Sequence, residues 1–319
     1  MDDSRHVRVR RSLLIAPSHK EALIAKLATS AADVCILELE DGVHPSLKGV
    51  ARASAARLLE SIDWGGRERI VRINRVTTED GREDIACVTK GRPDGILLPK
   101  VEDVSEIHLA SSLLGDAECD ANLPEGSVQL WCMIESAKGL SQIEFICSAD
   151  PRMTAVIFGA GDYGADIQVK RLGVGTFRRF PAPSHEYLYA RGRVVVAARA
   201  ASIDPIDVGH STFGDLEGTR HTGEIAAQMG FSGCAVFHPK QVPVINEVFS
   251  PAPEDLLWAR EIIELFEAEG AKEEAGTVVV VDGDMVDGPF VVNARDILAR
   301  QERIDELEGR KSLGASAHA

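Results

Sequence analysis

Two carboxylates stand out by where they fall. Glu135 closes the apolar run V-Q-L-W-C-M-I-E, and Asp162 follows V-I-F-G-A-G, with Asp166 shortly after. Glycine-rich turns after strands usually cradle phosphate, which carboxylates would repel. If the two runs are neighbouring parallel strands, their tips lie only about 5 Å apart. Two bare carboxylates that close repel, so one takes a proton or a cation joins them. Oxygen ligands without His or Cys suit Mg2+, which takes one or two carboxylates and completes its shell with water and substrate oxygens. The glycines would let the backbone come close to a ligand. A helix-capping Asp162 and a salt-bridged Glu135 is the plainer alternative, and these residues alone leave both open.

Other polar residues end other apolar runs: Glu40 and Asp41, Arg72 and Asn74, Lys100, and His238 before Pro239. An apolar strand has no packing use for a terminal charge, so several such charges suggest one shared polar site. A cation at Arg72 is disfavoured beside a metal unless negative charge develops there, as on an enolate oxygen. An enolate also needs a proton donor or acceptor of tuned pKa. Each residue has a bland reading too. Lys100 in P-K-V-E could be solvated, and His238 could be a satisfied core histidine. Glu40 and Asp41 could cap a helix, though two adjacent acids exceed what a cap needs.

The elements that must carry these residues recur rhythmically. Apolar, β-branched runs predict strands at Ser12 to Pro17, Val34 to Asp41, Arg69 to Asn74, Gly95 to Lys100, Val128 to Glu135 and Ala155 to Ala160. Two weaker ones follow at Ile203 to Val208 and Cys234 to Pro239, with helical patterns between, such as Leu47 to Leu59 and Ala137 to Cys147. Continuous rather than alternating apolar runs indicate strands covered on both faces. Eight of them in β-α alternation predict an α/β fold, a (β/α)8 TIM barrel. A doubly wound sheet is the runner-up, and no G-x-G-x-x-G follows the first strand. The barrel should occupy residues 1–250. A C-terminal extension over 251–310, a helix, a hairpin and a second helix, is expected to act as a lid packed on a neighbour. Residues 311–319 are expected as a disordered tail.

Composition bounds the rest. The 319 residues are 45% hydrophobic, with no run long enough for a membrane span, and the formal charge is -15. That balance argues against nucleic acid as a partner. Six cysteines without C-x-x-C spacing read as thiols of a reducing, cytoplasmic setting rather than a disulfide or zinc framework.

The motifs R-S-L-L-x-A-P, L-E-L-E-D-G-V, V-R-I-N, L-P-K-V-E, I-E-S-A-K-G, F-G-A-G-D-Y-G-A-D, G-F-S-G-C-A-V-F-H-P-K-Q and M-V-D-G-P-F-V appear in that order. Together they closely resemble the HpcH/HpaI aldolase and citrate lyase β-subunit-like family, over about Arg11 to Arg300. The resemblance implies a Mg2+-dependent barrel that cleaves or forms a C–C bond next to a thioester. It implies Glu135 and Asp162 as metal ligands, Arg72 at the thioester, and Asp287 of M-V-D as an acid/base delivered to a neighbouring subunit. Glu40 and Asp41 join the expected catalytic set. Arg11, Asn74, Lys100, Arg171, Arg178, Arg179, His238 and Pro239 are expected to contact substrate or coenzyme A. The M-V-D segment favours an acyl-CoA thioester and a 2-oxo acid, such as glyoxylate or pyruvate, in a homotrimer or hexamer. Citrate lyase β-subunits, which resemble a trimmed barrel serving an acyl carrier protein, are the alternative, as are a 2-oxo-acid aldolase and a non-catalytic binding paralogue. Two departures stand out: Gly161 where the family usually has an acid, and Cys234 where it commonly has lysine.

Overall fold

The computed structural model describes residues 8–170, 185–270, 279–281, 284–286 and 288–316. Eight parallel strands pair in sequence order and close into a barrel. They are β1 (Ser12–Pro17), β2 (Val34–Glu38), β3 (Glu68–Arg72), β4 (Gly95–Leu98), β5 (Gln129–Ile134), β6 (Met153–Phe158), β7 (Asp204–Val208) and β8 (Gly233–Val236). Closure runs through Ser12↔Cys234 and Leu14↔Val236, which excludes the open doubly wound sheet. The helices between are α1 (Glu21–Ala28), α2 (Lys48–Ser61), α3 (Glu79–Val88), α4 (Val104–Asp120), α5 (Ala137–Ser141), α6 (Ile143–Cys147), α7 (Ala160–Asp166), α8 (Leu188–Ala200), α9 (Leu216–Met229) and α10 (Val242–Val248).

Period-two alternation splits each strand between two cores. Leu13, Val34, Ile36, Ile70, Leu97, Trp131, Ile157 and Ile206 fill the lumen. Leu14, Leu37, Val71, Ile96, Cys132, Val156 and Phe158 face outward into the helical layer. Burial on both faces is why the runs look continuously apolar. Most strands are shorter at their C-terminal ends than the runs suggest, because Leu39 to Asp41, Asn74, Pro99 with Lys100, and Glu135 already belong to loops. The helical stretch at Ala137 breaks at Gln142 into α5 and α6.

The chain divides into two compact units, Arg10–Phe249 and one built mainly of Ser250–Leu313. The second holds α11 (Pro253–Gly270), an antiparallel hairpin of β9 (Val279–Val281) and β10 (Asp284–Val286), and α12 (Gly288–Ser316). It has a small core of its own around Ala259, Ile262, Val286, Val291 and Ala294. The sequence reading expected none. The expected tail at 311–319 is also revised, since α12 continues to Ser316. No proline interrupts K-S-L-G-A-S, and Lys311 is buried with its ammonium 3.5 Å from Glu308.

Arg10 plugs the N-terminal end of the barrel. It is fully buried and lies 4.3 Å from the Trp131 ring centroid. Its guanidinium donates to both Glu68 oxygens at 2.6 and 2.7 Å, to Asp204 at 3.0 Å, to Gln129 at 3.0 Å and to the Thr154 carbonyl at 2.8 Å. Those acceptors come from the starts of β3, β5, β6 and β7, so one side chain ties four strands. Replacing it leaves Glu68 without this partner and takes one from Asp204, which keeps Ser232 and Arg199, a loss of about 3 kcal/mol. Arg10→Met should therefore lower Tm by roughly 10 °C while leaving metal affinity at the far end intact. A shift below about 2 °C would show that the strands close without it.

Candidate active site

Glu38 and Arg72 end β2 and β3 and stand opposite each other in register. They follow Ile36 and Ile70 on the lumen side, so both point inward. Arg72 donates its Nε–H to Glu38 Oε2. Its Nη1 lies 3.8 Å from the Met133 sulfur, and its Nη2 lies 3.6 Å from Glu40 Oε2. Gly42 makes room, since a Cβ there would fall 2.9 Å from Glu38 Cγ. Burial pushes the Glu38 carboxyl up even against the pull of Arg72.

The loop after β2 is held by Lys48, whose ammonium donates to the Leu39 and Glu40 carbonyls at 2.7 Å each. Above it Lys100 donates to Glu40 Oε1 at 2.5 Å and to Asp41 Oδ2 at 2.7 Å. Partial burial works against the Lys100 charge, but these two carboxylates outweigh it and raise its pKa. The Lys100 charge is thus held against Glu40 and Asp41. Asp41 is shifted down by the same contact, against the effect of burial. Glu40 Oε2 is buried without a hydrogen-bond donor.

Glu135 sits just past β5, and its Oε2 accepts the Lys100 backbone N–H at 2.9 Å. Its side chain lies across Gly159, where a Cβ would come 2.5 Å from Oε1. Asp162 is in the first turn of α7, the helix that begins just beyond β6. No side chain caps that helix by a hydrogen bond, so Asp162 is not the cap that the plainer reading allowed. Burial pushes Glu135 up to about 7, Arg72 opposes this, and the Asp162 and Glu40 charges add to it. Asp166 accepts the Ala137 N–H at 2.7 Å and so ties α7 to α5.

Do these residues fit a divalent cation? Among the described residues no group of three or more His, Cys, Asp and Glu is arranged for one. A Glu135–Asp162 pair with an open mouth is the smaller donor set that Mg2+ takes. Glu40 Oε2 has Arg72 3.6 Å away, and it is the uncomfortable Glu135 charge that calls for positive charge here. The residues fit.

The other expected residues scatter. Arg11 lies at the opposite, N-terminal end of β1, buried and locked on Asp33 by bonds of 2.9 Å. It is a strut and cannot reach substrate at the mouth. The Asn74 amide is spent on Leu39 O at 3.1 Å and Asp84 at 2.7 Å. His238 caps the turn at Pro239 through Lys240 N and stacks on Phe213, so its role here is structural. Arg171, Arg178, Arg179 and Asp287 lie outside the described residues. Cys234 is buried in the outer core, not at the mouth, and burial raises its thiol pKa well above the ordinary value. Gly161 is exposed with open space where a Cβ would be. The sequence reading missed Glu38, although an acid at an inward position of a buried strand was a usable signal.

A closed barrel with a buried Glu135 beside an exposed Asp162, a guanidinium and a clamped lysine at its C-terminal mouth defines a metal-assisted barrel enzyme. The chain matches the HpcH/HpaI aldolase/citrate lyase family over residues 11–239 and belongs to it. It is 32% identical to the citrate lyase subunit beta of Leuconostoc mesenteroides subsp. cremoris, covering 95% of this chain and 97% of that protein. It is 35% identical to a (3S)-malyl-CoA thioesterase of Cereibacter sphaeroides, covering 92% and 95%. To an L-malyl-CoA/beta-methylmalyl-CoA lyase of the same species it is 33% identical, covering 93% and 96%. Among solved structures, CitE from Mycobacterium tuberculosis with magnesium, acetoacetate and coenzyme A superposes with TM-score 0.72 at 28% identity, covering 93% of this chain and 98% of that one. The citrate lyase relative is matched nearly end to end, so the C-terminal extension does not separate it from the malyl-CoA enzymes, as the sequence reading had supposed.

Two measurements probe this geometry. The folded Glu135 holds a proton that the unfolded chain gives up, since its pKa is raised from 4.5 to about 7. Its contribution to stability is then full below about pH 4.5 and lost as pH rises through about 7, a change of roughly 3 kcal/mol. In metal-free protein Glu135→Gln should flatten the fall of Tm between pH 5 and 8; an unaltered slope would show that Glu135 ionises normally. Gly159→Ala should weaken Mg2+ binding at least tenfold by calorimetry, because its Cβ displaces Glu135. Wild-type affinity there would mean that Glu135 is not a ligand.

Proposed function

We propose that this protein is a Mg2+-dependent carbon–carbon lyase acting on a 3-hydroxyacyl-CoA with a terminal carboxylate, such as malyl-CoA, methylmalyl-CoA or citramalyl-CoA. The observation that carries this is the buried Glu135, its pKa raised beside Asp162 and within the field of Arg72. Glu135 and Asp162 would hold the metal. Bound there, the ion would lower the pKa of a substrate hydroxyl and neutralise the adjacent carboxylate.

The remaining work falls to side chains. Glu40 Oε2, buried without a donor, is assigned to accept the hydroxyl proton. The C–C bond then breaks, releasing a 2-oxo acid such as glyoxylate or pyruvate, and its electron pair moves into the thioester enolate. Arg72, fixed through Nε by Glu38, turns its Nη edge to that enolate. Lys100 keeps Glu40 and Asp41 in place. Asp287, next after β10 in M-V-D, is assigned to protonate the enolate carbon, in trans within a trimer or hexamer. Run backwards, the same groups perform a Claisen-type addition. A cytoplasmic setting is part of this reading. Among the described residues no helix is long and apolar enough to cross a membrane.

The relatives also include a thioesterase and a citrate lyase subunit, and product analysis separates the three. Purified protein with Mg2+ should release 2-oxo acid from one of these acyl-CoAs faster than free CoA. Free CoA alone would favour hydrolysis, and cleavage of citryl thioester alone would favour the citrate lyase reading. Asp162→Asn should lose at least a thousandfold in kcat with the fold intact. Arg72→Lys should lower kcat more than it raises KM, because a point charge does not reproduce the guanidinium edge. Full activity after chelation and in Asp162→Asn would remove the metal from the proposal.

A further inference from the structure

The lumen-facing residues change character around the mouth. On β2, β3 and just past β5 they are Glu38, Arg72 and Glu135. On β7, β8 and β1, which adjoin one another in the closed barrel, they are Val208, Ala235 and Ile15. These three are half-buried, whereas their outward-facing neighbours Asp207, Val236 and Ala16 are buried. Helices close the outside of the barrel, so solvent reaches Val208, Ala235 and Ile15 through the mouth. Ala235 pairs in register with Val208 on one side and Leu13 on the other. A small residue between bulkier ones leaves a recess.

The charged groups nearby are committed elsewhere. Asp207 points outward and pairs with Arg191. His210 is buried with Nε2 3.2 Å from Asp215, and Gly218 packs so closely that a Cβ there would come 2.7 Å from that nitrogen. Asp204 is bound to Arg10 at the other end. Among the described residues, Val208, Ala235 and Ile15 themselves offer no hydrogen bond to a polar group, which would lose hydration against them without a partner.

We infer that this sector receives an alkyl substituent of the substrate, so that the enzyme selects methyl-bearing over unsubstituted 3-hydroxyacyl thioesters. The inference rests on the lyase reading above. The substrate's carboxylate, hydroxyl and thioester oxygens would be drawn to Arg72 and to the cation that Glu135 and Asp162 would hold, on the β3 to β6 side. Substituents on the other side of the carbon chain then face the apolar sector. A methyl group in such a pocket is worth about 10- to 200-fold in kcat/KM. The methyl has two sources, the acyl α-carbon, as in methylmalyl-CoA, or the hydroxyl-bearing carbon, as in citramalyl-CoA.

The test compares kcat/KM for malyl-CoA, methylmalyl-CoA and citramalyl-CoA, with Mg2+, in wild type, Ala235→Val and Val208→Ala. Wild type should favour one methyl-bearing substrate over malyl-CoA by at least tenfold, and which one it favours identifies the source. Ala235→Val fills the recess and should cut that ratio at least tenfold; Val208→Ala removes apolar contact and should cut it at least threefold. Melting curves establish folding, and if Ala235→Val fails to fold, Val208→Ala carries the test. Cleavage with ratios unchanged within twofold, or a wild type that favours malyl-CoA, overturns the sector assignment alone. No cleavage of any of the three by wild type overturns the lyase reading and this inference with it.

Discussion

Among the described residues, the mouth of the barrel gathers the buried Glu38, Glu40 and Glu135 and the exposed Asp41 and Asp162 around two cations, Arg72 and Lys100. Burying carboxylates is costly unless each is paired or hydrogen-bonded. The cations are already divided. Arg72 is tied to Glu38, and Lys100 to Glu40 and Asp41. Glu135 is left over, beside the exposed Asp162. Glu135 answers with a pKa near neutrality, held there by burial and its acidic neighbours against Arg72. A proton on Glu135 relieves this charge, and a cation beside it would do the same.

The other end of the barrel is its electrostatic opposite. There Arg10 meets Glu68 and Asp204 with Gln129 and Thr154 filling its remaining donors, so a buried charge is fully satisfied. The division follows the general economy of such barrels, in which the N-terminal face serves stability and the C-terminal face chemistry. It also explains Arg11. One residue along, the side chain points outward and braces Asp33, so neighbouring arginines serve the lumen and the helical layer separately.

Much of this was legible in the residues. The eight strands were, because burial on both faces writes unbroken apolar runs. Their ends were not, because Glu40 or Asn74 continues the run in sequence while its backbone has already turned to bond a loop. Glu135 and Asp162 stood out as candidates because acids at strand tips have no packing use. Glu38 escaped because it lies within a run that looks like core, and its partner is visible only once β2 and β3 are in register. The local bonds of Asn74 and His238 were not legible for a related reason. Polar residues after strands also hold loops, and nothing local separates a loop-holder from a ligand. The small core of the C-terminal unit was missed because its members, Ala259, Ile262, Val286 and Val291, are dispersed over three elements.

Lys100 shows how tightly the mouth is specified. Its φ of 52° lies in the left-handed region, where a residue with a side chain is strained by about 1–3 kcal/mol. Glycine would adopt that conformation freely, as it does at Gly126 and Gly230. Yet glycine would supply only the backbone N–H to Glu135 and nothing to Glu40 or Asp41. At this φ one lysine reaches both from one position, the N–H going to Glu135 and the ammonium to the acids after β2. The strain thus couples the charge clamp on β2 to the orientation of the carboxylate on β5, across two strands of the barrel.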